Sequence, residues 1–413
     1  MRSRAAAVVL AAGVGTRFGE TPKLIAPFLG KRMLQHALDT LHDARVEPIV
    51  VVLGHASGEI RPAIAWRDEI VVVNQNPERG LLRSVLLGLR RLDQLWSLPQ
   101  RTLIVLGDQP QLERGQIEAL LAADADEERP FVVPRYQDGS TGNPAMLEST
   151  GRVAAEQFAI HSRKDLDRGL GPMFARFPER VRLVDVPGRN PDIDTTADLQ
   201  RVETAALVAR GYDALGSGYV EWGSRIVDEA RPRFVGELTQ RLSIGARVLD
   251  LGCGSGAMAK DLAATFDVTG VDVSAVQLAV ARREIPKAKF IQGDMASIRF
   301  PAASFDAVAA LYSIIHVPRD LHPGLFRNVA HWLRPGGLFL AALSARDDPP
   351  WTGEWLGQPM FFSGFDAETN RRLLAEAGFE MLIDEEVELQ EPEGPARFQW
   401  VLARRPEGQI GTT

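Results

Sequence analysis

Residues 247–256 read Arg247-Val248-Leu249-Asp250-Leu251-Gly252-Cys253-Gly254-Ser255-Gly256, and the fold is decided there. An apolar run of strand length breaks into three glycines at alternate positions, and residues 257–265 then carry a helical pattern. Glycines at such a break let the backbone come close to a ligand. The next strand candidate, 268–271, runs into Val271-Asp272-Val273-Ser274. A carboxylate one strand after a glycine turn is placed to accept both hydroxyls of a ribose. The third strand candidate, 289–292, ends in Gly293-Asp294-Met295, suited to the edge and face of an adenine. Asp250, just before the glycines, would repel a pyrophosphate and attract an ammonium. The pattern therefore favours a nucleoside with a cationic amino-acid end over a dinucleotide.

Working outward, further strand candidates lie at 307–311 and 338–343, with helical stretches at 274–283 and 321–333. Residues 379–404 alternate as two antiparallel strands at a sheet edge would. The first half repeats the plan, with strand candidates at 7–11, 49–53, 70–73, 103–106, 131–133 and 182–186. Residues 33–44 place Leu34, Ala37, Leu38 and Leu41 on one helical face, and 196–209 reads as a closing helix. Strands alternating with helices predict parallel sheets covered on both faces. The expected class is α/β, as two doubly wound three-layer α/β/α domains in tandem, the second with an antiparallel edge. The expected boundaries are 1–208, a linker at 209–218 loosened by Gly211, Gly216 and Gly218, a second domain at 219–406, and a tail at 407–413.

The 413 residues are 45% hydrophobic and 24% charged, which lets either half bury a full core. A net charge of -7 supplies no general basic field for a nucleic acid, so small-molecule substrates are the expected partners. Cys253 is the single cysteine, which excludes an intramolecular disulfide and a thiolate metal cluster, and it reads as a small space-filler in its loop. No apolar run is long enough to span a bilayer. Arg2 and Arg4 before the run 5–12 imitate a signal peptide, but that run leads into Gly13, Gly15, Arg17 and Lys23, residues with a better use than removal. A cytoplasmic protein without membrane association is expected.

Residues 11–19 read Ala11-Ala12-Gly13-Val14-Gly15-Thr16-Arg17-Phe18-Gly19, with Pro22-Lys23 following. Gly13 and Gly15 would turn backbone N–H groups onto a phosphate, and Arg17 and Lys23 would face a triphosphate with fixed positive charge. A second element, Leu106-Gly107-Asp108-Gln109-Pro110, puts Asp108 at the carboxyl end of a buried strand. Ligands sit at that end of such sheets, and the Asp108 carboxylate suits Mg²⁺ bridging nucleotide phosphates. Residues 5–205 as a whole resemble the MobA-like NTP transferases, and within them the molybdenum cofactor cytidylyltransferases. The resemblance extends through Asn76-Pro77 with Gly80 and Ser84, Gly142-Asn143-Pro144, and Asp192-Ile193-Asp194-Thr195. It implies that Ala12, Gly13, Gly15, Arg17 and Lys23 bind the nucleotide, that Ser84 and Asn143 line the nucleotide or acceptor site, and that Asp194 joins Asp108 on the metal. Arg17, Lys23 and Asp108 would be the catalytic groups. The Ala-Ala-Gly start points to the branch that uses CTP, with molybdopterin as the first candidate acceptor. One departure concerns that acceptor: where these cytidylyltransferases carry Gly-Asp-x-Gly-Ala-Arg, residues 163–170 read Arg-Lys-Asp-Leu-Asp-Arg-Gly-Leu.

Residues 220–405 resemble class I S-adenosylmethionine-dependent methyltransferases. Besides the segments quoted first, Ser304-Phe305-Asp306-Ala307-Val308 and Leu333-Arg334-Pro335-Gly336-Gly337-Leu338 carry the likeness. It implies that Asp250, Gly252 and Gly254 hold the methionyl end of the cofactor, Asp272 the ribose, and Asp294 with Met295 the adenine. Tyr312, His316 and His322 follow the fourth strand, where acceptor pockets open in this fold. His316 there is either a general base or a packed histidine. Trp351, Glu354, Trp355, Met360, Phe361 and Phe362 read as an aromatic-rich loop, either a lid over an apolar acceptor or plain core, and Tyr312, His316 and Trp355 are the expected acceptor pocket. The expectation is thus a bifunctional enzyme using an NTP with Mg²⁺ and S-adenosylmethionine. Two alternatives stand beside it: a sugar or alcohol phosphate as nucleotidyl acceptor, and one half serving as a non-catalytic binding module.

Overall fold

The computed structural model describes residues 5–13, 18, 21–95, 100–124, 126–162 and 166–408. Gly15, Arg17, residues 163–165 and, in the expected tail, residues 409–413 lie outside the described residues. The chain divides into two compact units, Met1–Gln200 and Arg201–Thr413. The expected linker at 209–218 is helical as far as Leu215, the end of a helix that starts at Thr196. Among the described residues no helix is long and apolar enough to cross a membrane.

In the first unit the strands are β1 (Ala5–Ala11), a short pair β2 (Pro27–Phe28) and β3 (Lys31–Arg32), then β4 (Ile49–Leu53), β5 (Ile70–Val73), β6 (Arg101–Leu106), β7 (Phe131–Arg135), β8 (Ala145–Glu148) and β9 (Val181–Asp185). Seven of them form one sheet in the order β5-β4-β1-β6-β8-β7-β9. Every residue of β1 is buried, as a central strand with both faces covered requires. Its side chains alternate between the two faces: Ala7, Val9 and Ala11 join one apolar cluster with Leu34, Leu38 and Leu41, whereas Ala6, Val8 and Leu10 join another with Val85 and Leu89. The helix Leu81–Asp93 lies so close on the second face that a Cβ on Gly88 would come within 2.2 Å of Val8 Cγ1. β8 was not anticipated; it pairs antiparallel with both β6 and β7. From β1 the chain builds outward through β4 and β5, then crosses to β6 on the other side of β1. Leu10 pairs with Leu106 and Ala11 with Leu53, so the loops after all three strands leave the sheet at one level. Such a reversal in strand order opens a crevice at the carboxyl ends.

The second unit repeats the device with β10 (Arg247–Leu251), β11 (Asp267–Asp272), β12 (Lys289–Gln292), β13 (Phe305–Leu311), β14 (Leu333–Ser344), a hairpin of β15 (Asp348–Trp355) and β16 (Gln358–Gly364), β17 (Glu380–Glu391) and β18 (Gly394–Arg404). The sheet order is β12-β11-β10-β13-β14-β18-β17, with β18 antiparallel to both neighbours. Alternate residues of β14 again face two clusters, Phe339, Ala341 and Leu343 on one side and Leu338, Leu340 and Ala342 on the other. The order reverses between β10 and β13. The two tandem α/β domains with flanking helices are therefore present as expected. The aromatic-rich segment is a correction: it is the β15–β16 hairpin and not a loop, its Trp351 pairing with Phe362 and Thr352 with Phe361. Alternation of large rings with small or polar residues suits a strand pair with one packed face.

Candidate active sites

The first site lies where β1 and β6 end. Gly107 donates its N–H to the Leu10 carbonyl, and a Cβ on it would lie 3.0 Å from Leu34 Cδ1 and 3.4 Å from Ala11 Cβ, so the backbone turns tightly against β1. That turn carries Asp108. Its Oδ2 accepts from Lys23 Nζ at 2.5 Å, and the same ammonium lies 3.2 Å from Asp194 Oδ1. Three residues separated by up to 171 positions thus meet. Burial on its own would lower the Lys23 pKa, but the two carboxylates outweigh it and raise it, which keeps the ammonium charged. The other oxygen of Asp108, Oδ1, is buried and has no hydrogen-bond partner among the described residues. An orphaned carboxylate oxygen beside a second carboxylate is a donor set that fits a hard divalent cation.

The residues around this cluster hold it in place. Gln109, 4% exposed, donates through Nε2 to Asp192 Oδ1 at 2.6 Å and to the Asn190 carbonyl at 3.1 Å, and accepts from Asn190 Nδ2 at 3.0 Å. Burial, then the charge of Asp108, raises the Asp192 pKa. The Asn143 carbonyl accepts from Tyr136 Oη at 2.5 Å, which fixes the segment that carries Asn143. Ser84 is fully buried and its Oγ accepts from Asn74 Nδ2 at 3.0 Å. Gly13 is exposed, with open space where a Cβ would stand, and Ala12 is buried beneath it. Gln109, Asn190 and Asp192 were not singled out from the sequence. Gln109 directly follows Asp108, and Asp192 begins the Asp-Ile-Asp run, so adjacency to the named carboxylates was the available signal.

In the second unit β10 and β11 end level, Leu251 opposite Val271. The glycine turn is forced there: Gly252 has φ +73, and a Cβ on it would lie 2.2 Å from Ser313 Cβ. The Gly254 N–H donates to Asp272 Oδ2 and the Ser274 N–H to Asp272 Oδ1, both at 2.8 Å. Burial raises the Asp272 pKa against the pull of those two amides. Gly252, Gly254, Asp272, Asp294 and Met295 line one narrow cavity together with Tyr212, Tyr219, Tyr312 and His316. Asp294 is held on both oxygens, Oδ1 accepting from the Ala296 N–H at 2.9 Å and Oδ2 from Arg201 Nη1 at 3.3 Å. Asp250 is not among the residues lining that cavity. It lies 3% exposed at the end of β10, and burial lifts its pKa to about 7, with Arg231 opposing. Its Oδ2 has no hydrogen-bond partner among the described residues. A buried carboxylate left short of a partner, next to a glycine turn, fits a ligand with a cationic end. Cys253 is buried, and burial raises its thiol well above the ordinary range, as for an inert space-filler.

A larger chamber of about 1160 Å³ adjoins this cavity, and Tyr212, Tyr219, Tyr312 and His316 border both. Trp222, Trp355 and Phe362 continue its aromatic wall, so Tyr312, His316 and Trp355 do line one space. Tyr312 holds a left-handed φ of +57 and its hydroxyl donates to Asp228 Oδ2 at 2.8 Å. Strain of that kind at a cavity wall persists where surrounding contacts impose it. His322 is elsewhere: it is 3% exposed, bonded to the Val317 carbonyl, and edge-on to Phe365, a packed histidine. Tyr212, Tyr219 and Trp222 were not singled out: Tyr212 fell in the expected linker at 209–218, and Tyr219 and Trp222 opened the expected second domain with no motif to mark them. The three-residue step from Tyr219 to Trp222 is a helical spacing, within the helix Ser217–Gly223, and that was the unused signal.

Residues 7–179 match the model of the MobA-like NTP transferase domain, and residues 248–337 match that of a methyltransferase domain. Over 116 residues the chain is 35% identical to the bifunctional protein GlmU of Cupriavidus necator, covering 28% of this chain and 24% of that one. Over 170 residues it is 35% identical to an O-methyltransferase of Pyrenophora dematioidea, covering 38% of this chain and 63% of that one. The chain thus spans about a quarter of the first relative and under two thirds of the second. Among solved structures, Rv0371c of Mycobacterium tuberculosis is 29% identical with a TM-score of 0.41, covering 49% of this chain and 98% of that one.

Proposed function

We propose that this chain, which carries a MobA-like NTP transferase domain and a methyltransferase domain, is a bifunctional enzyme. Its first unit passes a nucleotidyl group, CMP from CTP, to a phosphorylated acceptor such as molybdopterin. Its second unit passes methyl from S-adenosylmethionine to a small molecule. The observation that supports the first activity is the meeting of Asp108, Asp194 and Lys23 at the switch in strand order, with Asp108 Oδ1 buried and without a hydrogen-bond partner among the described residues. An acceptor phosphate oxygen attacks the α-phosphorus of the nucleotide, and the bond to the β-phosphate oxygen breaks to release pyrophosphate. Lys23, kept cationic by its two carboxylates, neutralises charge that develops on the leaving group. Asp108 and Asp194 would hold Mg²⁺, which when bound supplies further charge neutralisation at the phosphates. Gln109 and Asn190, tied to each other and to Asp192, keep the acidic wall rigid.

The test is release of pyrophosphate from CTP, GTP, ATP and UTP with Mg²⁺ and candidate acceptors. CTP should be preferred, and Asp108→Ala should lower release by about 10²-fold or more. Equal release by the variant would sink the assignment. A second reading, a sugar or alcohol phosphate as acceptor, is favoured by residues 163–170, which lack the Gly-Asp-x-Gly-Ala-Arg segment of the cytidylyltransferases.

For the methyl transfer, the glycine turn and Asp272 are the cofactor's seat and the aromatic chamber is the acceptor's. The acceptor's lone pair takes the methyl group in line with the breaking carbon–sulfur bond, whose electron pair returns to sulfur. The chain contributes position and exclusion of water. Asp272→Ala removes a ribose acceptor and should raise the Kd for S-adenosylhomocysteine by about 10- to 100-fold, read by calorimetry. An unchanged Kd would contradict the ribose role.

A further inference from the structure

Methylation of a hydroxyl leaves a proton that must go somewhere. His316 Nδ1 lies 2.8 Å from the Phe361 carbonyl, which can only accept, so Nδ1 carries the ring proton. Nε2 is then a lone pair, and the Tyr212 hydroxyl, 2.8 Å away, donates to it. Both residues border the cofactor cavity and the acceptor chamber, at the junction where methyl donor and acceptor would meet. Around them one part of the chamber wall is a cluster of rings, while Asp228, Arg231, Arg346 and Glu391 also line the chamber: Tyr219 stacks on Trp222 at 5.8 Å, and Trp355 stands edge-on to Trp222 at 5.1 Å and to Phe362 at 5.7 Å. Ring faces of this kind favour a planar aromatic guest.

We infer that Tyr212 and His316 form a proton relay for methylation of a hydroxylated aromatic acceptor, Tyr212 touching the acceptor hydroxyl and His316 acting through Tyr212. The inference rests on the methyltransferase reading of this unit. As the hydroxyl oxygen forms its bond to the methyl carbon and the carbon–sulfur pair returns to sulfur, the hydroxyl proton passes to the Tyr212 oxygen. The proton that Tyr212 held passes to His316 Nε2, and the ring becomes an imidazolium still donating from Nδ1 to the Phe361 carbonyl. Once the product has left and water enters the chamber, the imidazolium proton returns to the Tyr212 oxygen as Tyr212 passes its own proton to water, which restores both groups and carries away the one proton that methylation releases.

Two electrostatic facts fit a hydroxyl better than an amine. Burial lowers the His316 pKa to about 4, so the ring is a weak base. It cannot strip an alkylammonium, with a pKa of about 10, but an oxygen bearing both a methyl group and its proton is a far stronger acid than an imidazolium. Burial also raises the Tyr212 phenol well above its ordinary value, so Tyr212 stays protonated and needs His316 to pass its proton on.

The experiment uses the full chain with three readouts. Calorimetry with S-adenosylhomocysteine tests the underlying reading: a chain that does not bind it sinks the methyltransferase assignment and the relay with it. Nitrogen NMR of the labelled histidines in that complex should show His316 protonated at Nδ1 and bare at Nε2, with the Nε2 resonance moving in Tyr212→Phe. A proton on Nε2, or a resonance indifferent to Tyr212→Phe, overturns the relay while leaving methyl transfer standing. Labelled methyl should pass from S-adenosylmethionine to catechol or a flavonol, and not to phenethylamine. Tyr212→Phe and His316→Gln should each lower kcat by about 10²-fold while leaving the KM for S-adenosylmethionine within about threefold. Transfer to the amine alone, transfer to none of the phenols by a chain that binds the cofactor, or full kcat in Tyr212→Phe overturns it.

Discussion

Asp250 shows how one buried residue couples ligand, proton and stability. Burial lifts its pKa from the ordinary carboxylate value of 3.8 to about 7. Between about pH 4 and 7 the folded chain therefore holds a proton that the unfolded chain has released, and stability falls as pH rises through that window. Above pH 7 the folded state carries a buried charge that Arg231 offsets only in part until a cationic ligand meets it. Replacing the carboxylate by an amide removes the titration. Asp250→Asn should therefore flatten the pH dependence of urea unfolding for the second unit between pH 5.5 and 8 relative to the native chain. The difference between the two chains should reach about 1 kcal/mol or more. Parallel curves for the two chains would show that Asp250 titrates normally. The same substitution should weaken S-adenosylhomocysteine, because the orphaned oxygen that would meet its ammonium is gone.

At the scale of elements, the fit of helix to sheet decides the sign of substitutions that propensity alone would misjudge. Gly88 sits within the helix Leu81–Asp93, where alanine would ordinarily stabilise by about 0.5–1 kcal/mol. A Cβ there would stand 2.2 Å from Val8 Cγ1 and 3.2 Å from Val52 Cγ2, on strands with no room to retreat. Gly88→Ala should instead destabilise the first unit by about 1–3 kcal/mol in denaturant unfolding, and a gain in stability would refute the close packing. Elements also explain where reading by period failed. β8 is a four-residue strand, Ala145–Glu148, too short to display alternation. The β15–β16 hairpin hides its alternation because Met360, Phe361 and Phe362 are consecutive apolar residues.

At the scale of the whole molecule, each unit has its own seven-stranded sheet and its own apolar clusters. Two separable unfolding events are expected, each answering to its own ligand. S-adenosylhomocysteine at about 100 times its Kd should add about 2.7 kcal/mol to the second unit, an upward shift of about 5–11 °C in one calorimetric transition. The other transition should not move. A single transition that shifts as a whole would mean that the two units unfold together.

Most of the strands and helices, the glycine turn after β10 and the carboxylates at the strand ends were legible in the chain itself; β8 and the β15–β16 hairpin were not. Each is a local event: an apolar run ends, a glycine permits a turn, and an acid stands at or beside the strand end, after the glycine at Asp108, before it at Asp250 and as the last strand residue at Asp272. What the chain alone did not disclose are the meetings of distant residues. Lys23 lies between Asp108 and Asp194 because the reversal in strand order brings three loops to one sheet end, and Tyr212 reaches His316 across 104 positions because the end of a helix, in a stretch read as a linker, borders the cavity beside the second glycine turn. Local spacing records which backbone conformations are permitted, whereas such encounters depend on how sheets and helices pack, and only tertiary structure settles that.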